Sequence, residues 1–443
     1  MRSARARLAR RLLSLTAIAA VVTAVGGCES RRELQPGNYR AVLELPGGEL
    51  PFGLDIAREE DGFVLYLLNG EERVRVDEVT AADGRLTATM PGYENTLTAE
   101  IRGRKLRGEV SLLRAGGERQ VLPFRAEAGQ TWRVFEEPST DNADVGGRWS
   151  VTFTSDEGKQ SPGVAEFTQS FERVTGTILT PTGDHRYLAG DARDDELRLS
   201  RFDGAQAHLY VGRLNERGEL VGEHWSGQFW HERFVAVRNP DAELDTSAVA
   251  TGLRDPDVKL EFTFPDLDGK PVSLSDPRFQ GKVVIVALAG SWCPNCQDEA
   301  DFLVDLYREH HARGLEIVSL MFEHFGDFAK AAGATRRFRR ENGVEYATLI
   351  AGTSDRDEAA KALPQLTGIF AFPTTIFVDR SGRVRRIHAG FSGPATGLHY
   401  EQLKQDFTST VEALLAEPAG GPAADGALTG ERPDESQSSN TLN

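Results

Sequence analysis

Residues 281–312 read GKVVIVALAGSWCPNCQDEADFLVDLYREHHA, and this stretch decides the fold of the last third of the chain. Its first ten residues are apolar or small almost throughout, as in a strand covered on both faces of a sheet. After the cysteines, Ala300, Leu303, Leu306 and Tyr307 recur at helical spacing. The stretch is therefore a buried strand turning into the N-terminus of a helix, with Cys293 and Cys296 on the turn. Three roles are open to such a pair: redox couple, half of a metal site, or structural staple. A staple is disfavoured, because so small a ring restrains little unfolded-chain entropy.

Outward from that turn, the pattern alternates between strands and helices. Upstream, VKLEFTFPDLDGKPVSLSD (258–276) reads as a hairpin-like entry. Downstream come LEIVSLMFE as a strand, Phe328 to Glu341 as a helix, EYATLI as a strand and RDEAAKAL as a helix. TTIFVD and RVRRIHAG follow as strands joined by RSG, and YEQLKQDFTSTVEALLAE closes the unit as an amphipathic helix. Beyond Glu417 the composition turns to Ala, Gly, Pro and Ser, which predicts disorder.

Residues 37–237 have a different character. Short alternating runs such as YRAVLEL, GFVLYLL, RLTATM and TLTAEI are separated by turn signals, which predicts antiparallel β structure. GNYRAVLEL at Gly37 and GRWSVTFTS at Gly147 both place an aromatic two residues after Gly. RKLRGEVS and GELVGEHWSG occupy matching late positions, so the pattern is that of a duplicated module, each copy a small barrel or sandwich. Trp225, Phe229 and Trp230 read as core or edge packing, and the flanking His224 and His231 as surface histidines without a third ligand at a recognisable spacing.

The expected organisation is a signal peptide over 1–27, a lipid-anchored linker over 28–36, a first β module over 37–126 and a linker over 127–146. A second β module over 147–237, a linker over 238–257, an α/β redox domain over 258–417 and a tail over 418–443 complete it. The leader carries five arginines followed by an apolar stretch from Leu12 to Val25, the pattern of an export signal. Val25-Gly26-Gly27-Cys28 resembles the lipobox of bacterial lipoproteins, so Cys28 is expected to be lipidated and to anchor the chain in the cell envelope. It would face the periplasm or exterior, and Glu29 after it leans towards the outer membrane. A formal charge of −16 argues against nucleic acid as a partner.

WCPNC on a strand-to-helix turn, Glu299 three positions after the second cysteine, FPTT (372–375) opening a later strand, and FTFPDLDGKPVSLSD before the core strand together resemble the thioredoxin fold. In particular they resemble the TlpA/ResA-like thiol–disulfide oxidoreductases. The resemblance covers about residues 258–417. It implies a disulfide reductase acting on protein disulfides, with no cofactor and no metal, and with a possible membrane electron donor of the DsbD or CcdA kind. A helix N-terminus stabilises a thiolate, so Cys293 is expected to attack first and Cys296 to resolve the mixed disulfide. Pro294 keeps the turn tight at a helix-start position. Glu299 is matched to a proton-exchanging residue, or else is a solvated helix residue, and Pro373 to the cis-proline facing the cysteines. Trp292, Pro294, Phe372 and Thr374 are expected at the substrate surface. One departure is Ala287, where thioredoxins carry a buried Asp. Alternatives are a peroxiredoxin-like thiol peroxidase, a metal carrier using His388, and a surface binding lipoprotein whose β modules do the main work with the redox domain as an accessory.

Overall fold

The computed structural model describes residues 32–139, 141–247 and 250–418. Cys28, the leader and the tail beyond 418 lie outside them. Among the described residues no helix is long and apolar enough to cross a membrane.

Residues 37–128 form nine antiparallel strands in a meander, and the first, Gly37–Leu45, returns to pair with the last, Arg119–Ala128. Leu43, Leu54, Leu65, Leu97 and Val110 fill the interior by alternation along the strands. Residues 147–238 repeat the device. Gly147–Ser155 pairs with both Gln160–Ser170 and the final strand Trp230–Arg238, and Gln160–Ser170 pairs onward with Arg173–Thr180, so this sheet closes into a barrel. The two copies also share a local detail. The aromatic near the start of each donates to the carbonyl four residues earlier, Tyr39 Oη to Gln35 O at 2.8 Å and Trp149 Nε1 to Val145 O at 3.0 Å.

The barrels are not beads on a string. Phe202, Ala207 and Leu209 of the second belong to the apolar core of the first, where the Phe202 and Phe52 rings meet at 5.1 Å. The segment expected as a linker is packed between them. Its Arg133 donates to Ala189 O and Ser200 O on one barrel, both at 2.9 Å, and to Leu68 O and Asn69 Oδ1 on the other, both at 3.3 Å. The aromatic trio divides. Trp225 is half-buried against the first barrel, whereas Phe229, on the turn, and Trp230, the first residue of the final strand, are exposed, with Arg114 of the first barrel over the Phe229 ring.

The last unit is a five-stranded sheet whose order runs 347–353, 315–323, 283–289, 374–378, 384–389. The first three strands are parallel and the last two antiparallel. The central strand Val283–Ala289 is buried at every residue, as its unbroken apolar run requires. Helices Pro294–His310, Phe328–Glu341 and Leu398–Ala416 pack on this sheet through Leu303, Phe338 and Phe407.

Candidate active site

The strand Val283–Ala289 ends five residues before the helix-start proline, and its C-terminal end delivers the CxxC turn. Cys293 is the N-cap of helix Pro294–His310, with Pro294 at its first position. Its Sγ accepts the backbone N–H of Cys296 at 3.2 Å, one of the donors that a helix start leaves unpaired. Cys293 and Cys296 are joined as a disulfide, with Cα atoms 5.2 Å apart. Across from them the Phe372–Pro373 peptide is cis, and Phe372 O lies 3.5 Å from Cys293 Sγ.

The residues around the pair are locked. Trp292 donates its indole N–H to Phe322 O at 2.8 Å, stacks on His324 at 4.6 Å and meets Phe372 edge-on. Thr374 turns its hydroxyl to Ala371 O at 2.8 Å and is fully buried, so its side chain offers nothing to a substrate. Glu299 is no solvated helix residue: it is buried, accepts the Thr375 hydroxyl, and burial pushes its pKa up to about 8. Ala287 is buried on the central strand, and His388 lies against the Phe407 ring, 5.2 Å between centroids.

Sequence reasoning passed over a second buried carboxyl. Glu323 ends the neighbouring strand and accepts Ser291 N at 3.1 Å, Ser291 Oγ at 2.6 Å and Thr335 Oγ1 at 3.1 Å, while burial raises it to about 7. It thereby fixes the residue just before the WCPNC turn.

The larger surprise is what covers the cysteines. Cys293 is 4% exposed and Cys296 1%. The tip of a hairpin from the second barrel, Pro181–Tyr187, stands against the cysteine turn. Asp184 Oδ2 accepts Asn295 Nδ2 at 3.0 Å and Gly393 N at 2.7 Å, so a barrel carboxylate is bonded to one of the two residues between the cysteines. The approach is close enough that Gly183, at φ +144°, has no room for a side chain: a Cβ there would sit 2.8 Å from Asn295 Nδ2. Arg186 bridges all three units, reaching Glu72 of the first barrel at 3.3 Å, Asp203 of the second at 3.4 Å and Asp298 of the redox helix at 3.1 Å. Burial and neighbouring carboxylates outweigh Arg186 at Asp298, whose pKa rises to about 7, while those carboxylates raise that of Arg186. Further off, Arg337 donates to Tyr93 O at 2.9 Å and His399 meets Glu166 at 3.0 Å. No local motif announces this closure, because its partners lie more than a hundred residues apart.

The histidines also depart from the expectation. His224 is buried rather than superficial, and it lies beside His208 and His185. His231 does stay near the surface, paired with Asp156 at 2.8 Å.

Residues 254–400 match the family described as Redoxin. A thiol–disulfide oxidoreductase ResA from Bacillus thuringiensis subsp. konkukian is 27% identical over 123 residues, covering 28% of this chain and 62% of that protein. ResA from Geobacillus thermodenitrificans is 27% identical over 146 residues, 33% of this chain and 73% of that one. The chain thus spans about 62% of the length of the first of these relatives. Among solved structures, a thiol:disulfide interchange protein of the thioredoxin family from Chlorobium tepidum TLS is 23% identical, with a TM-score of 0.28. The likeness covers 37% of this chain and 99% of that one. None of these matches extends over the two barrels as a whole.

Proposed function

We propose, from the premise that residues 254–400 match the Redoxin family and that ResA proteins are among the relatives, that the chain is an exported disulfide reductase working on protein disulfides through Cys293 and Cys296. The observation that carries the reading is the position of Cys293 as a helix N-cap, its sulfur receiving the Cys296 N–H and facing the Phe372 carbonyl beside cis-Pro373. Backbone N–H groups and the helix dipole favour a thiolate there. In the reduced enzyme the Cys293 thiolate attacks one sulfur of a substrate disulfide, expelling the other as a thiolate that takes up a proton. The Cys296 thiolate then attacks Cys293 Sγ and releases the second substrate sulfur. Two electrons pass to the substrate, and the enzyme is left with the Cys293–Cys296 bond.

Glu299, its pKa pushed up to about 8 and one turn along the same helix from Cys296, is suited to exchange a proton with Cys296. Phe372, beside the proline and opposite the sulfur, would pair with a bound chain through its backbone. Trp292 and Pro294 shape the rim, and Thr374 serves by fixing the Ala371–Pro373 turn rather than by touching substrate. The barrels act as a gate, since substrate reaches the sulfurs only when the Pro181–Tyr187 tip lifts.

Export and anchoring through a lipidated Cys28 would place this chemistry in the cell envelope, with a dithiol donor of the DsbD or CcdA kind returning the electrons. Insulin reduction in the presence of a dithiol tests the activity. Cys293→Ser should abolish turnover and Cys296→Ser should accumulate a mixed disulfide; turnover by Cys293→Ser would end the proposal. Mass spectrometry of the N-terminal peptide tests the anchor, since an unmodified Cys28 or cleavage elsewhere refutes it.

A further inference from the structure

The second barrel holds a group of side chains that the redox reading does not use. His185, from the hairpin tip, and His208 and His224, from neighbouring strands Ala207–Leu214 and Leu220–Ser226, bring one ring nitrogen each to within 4.8 Å of one another. Their outer nitrogens are spoken for. His224 Nδ1 lies 2.8 Å from Glu232 Oε1, and a carboxylate can only accept, so Nδ1 carries the proton and Nε2 is bare. His208 Nε2 lies 3.0 Å from Gln206 Oε1, so it donates and Nδ1 is bare. The two bare nitrogens face each other at 2.9 Å. Two lone pairs at that separation repel unless a cation lies between them or beside both.

The charged neighbours are balanced: Arg201, whose guanidinium donates to His185 O, is ion-paired with Asp203, and Glu232 supplies a negative charge behind His224. Tyr210 stacks on His224 at 4.2 Å and its hydroxyl meets His185 Nδ1.

We propose that His185, His208 and His224 bind one nitrogen-preferring divalent metal ion, Zn²⁺ above all, with Glu232 and Gln206 fixing the ligand tautomers from behind. Three neutral imidazoles suit such an ion, with metal–nitrogen distances of about 2.0–2.1 Å and a fourth position left for oxygen. Nitrogens of a tetrahedral site stand ~3.3 Å apart at those bond lengths, so the present spacing closes with tilts of about an ångström. The carboxylate behind His224 is the outer partner that metal-bound histidines commonly have. The competing arrangement turns the Gln206 amide over, so that His208 Nδ1 donates to His224 and the polar chain is complete without an ion.

The test uses the full-length protein with Cys293–Cys296 oxidised and Cys28 alkylated, so that no thiolate supplies a ligand. After chelation and dialysis it is titrated calorimetrically with Zn²⁺, and spectroscopically with Co²⁺. One Zn²⁺ per chain with Kd below about 1 µM is expected, and Co²⁺ should give the intense visible bands of a four- or five-coordinate site. His185→Ala, at the half-buried ligand, should weaken binding at least a hundredfold. Glu232→Gln should weaken it by about 10–100-fold while leaving the metal-free melting temperature nearly unchanged. Folded wild-type protein that takes up no Zn²⁺, as the turned Gln206 amide requires, overturns the proposal. So does uptake that His185→Ala and Glu232→Gln leave undiminished.

Discussion

If the barrel tip gates the disulfide, Asp184→Ala should open it. The side chain holds two bonds that cross to the redox unit, from Asn295 Nδ2 on the cysteine turn and from Gly393 N in the loop before the last helix, and its other oxygen takes the Arg186 N–H at 2.7 Å within the tip. Removing it strands two buried donors at about 1–3 kcal/mol each, and Asn295 keeps a second acceptor in Phe391 O at 3.1 Å, which moderates its share. The closed state should therefore lose about 2–4 kcal/mol relative to the open one, or roughly thirty- to a thousandfold in the equilibrium. The readout is the rate at which a dilute phosphine reduces Cys293–Cys296 in the full chain under native conditions, a rate proportional to the open fraction. At least a tenfold acceleration is expected. Asp184→Asn, which keeps an acceptor oxygen without the charge, should fall between the two. If Asp184→Ala reduces within twofold of wild type, these bonds do not gate the pair. If Asn and Ala behave alike, the effect comes from the lost charge beside the sulfurs and the hydrogen-bond reasoning fails.

Three further outcomes follow from the same structure. Glu299 has its folded pKa raised from 4.5 to about 8, so the native state binds the extra proton and stability falls as pH rises through that interval. Glu299→Gln should lessen the fall of the melting temperature between about pH 5 and 9, removing a loss of roughly 3–5 kcal/mol while the shares of Glu323 and Asp298 remain, and it should also erase the corresponding limb of the pH–rate profile; an unchanged pH dependence of both refutes the assignment. Arg133→Met should cost about 2–4 kcal/mol in urea unfolding, because it leaves several buried acceptors of both barrels unpaired; a change below 0.5 kcal/mol would show the segment to be a mere tether. Glu323→Gln should slow disulfide exchange by loosening Ser291, with a smaller effect on stability than Arg133→Met; equal rates for wild type and variant exclude that positioning role.

What could be read from the sequence was what is local. The run Val283–Ala289 and the helical spacing of Ala300, Leu303 and Leu306 fix strand, turn and helix within a few residues, and the structure places them accordingly. The strand LEIVSLMFE and the helix from Phe328 to Glu341 coincide with the observed elements. Closure of the second barrel was within reach because alternating strands with regular turns have few other ways to bury one face. What escaped depends on partners far apart in the chain. The burial of Glu299 requires knowing that Thr375 and the sheet lie over it. His224 looked superficial because its fellow ligands sit on another strand and on a hairpin tip, at separations that no linear spacing rule recognises. The exposure of Phe229 and Trp230 is the converse: aromatics on the turn and at the first residue of the final strand stand at the end of the sheet, with little to pack against.

The tip residues Asp184, His185 and Arg186 are consecutive, and each serves a different unit. Asp184 is bonded to the cysteine turn, His185 belongs to the histidine cluster inside the barrel, and Arg186 ties the first barrel to Asp298 on the redox helix. Because one short backbone carries all three, displacing any of them displaces the others, and whatever stiffens the cluster stiffens the cover over the disulfide. The cover is also polar where it meets the cysteine turn. Buried ions gain little net stability over the solvation they give up, and here Glu72 Oε1, Asp298 Oδ2 and Arg186 Nε lie buried without hydrogen-bond partners among the described residues. Opening returns these charges to water rather than exposing an apolar face, so the cost of opening stays small and no sticky surface is left behind. A closure built of apolar side chains would hold harder and would invite aggregation each time it opened. One built of Asp184, Arg186 and Asp298 is specific in register and cheap to release, which is what access of a protein disulfide to a buried Cys293 would require.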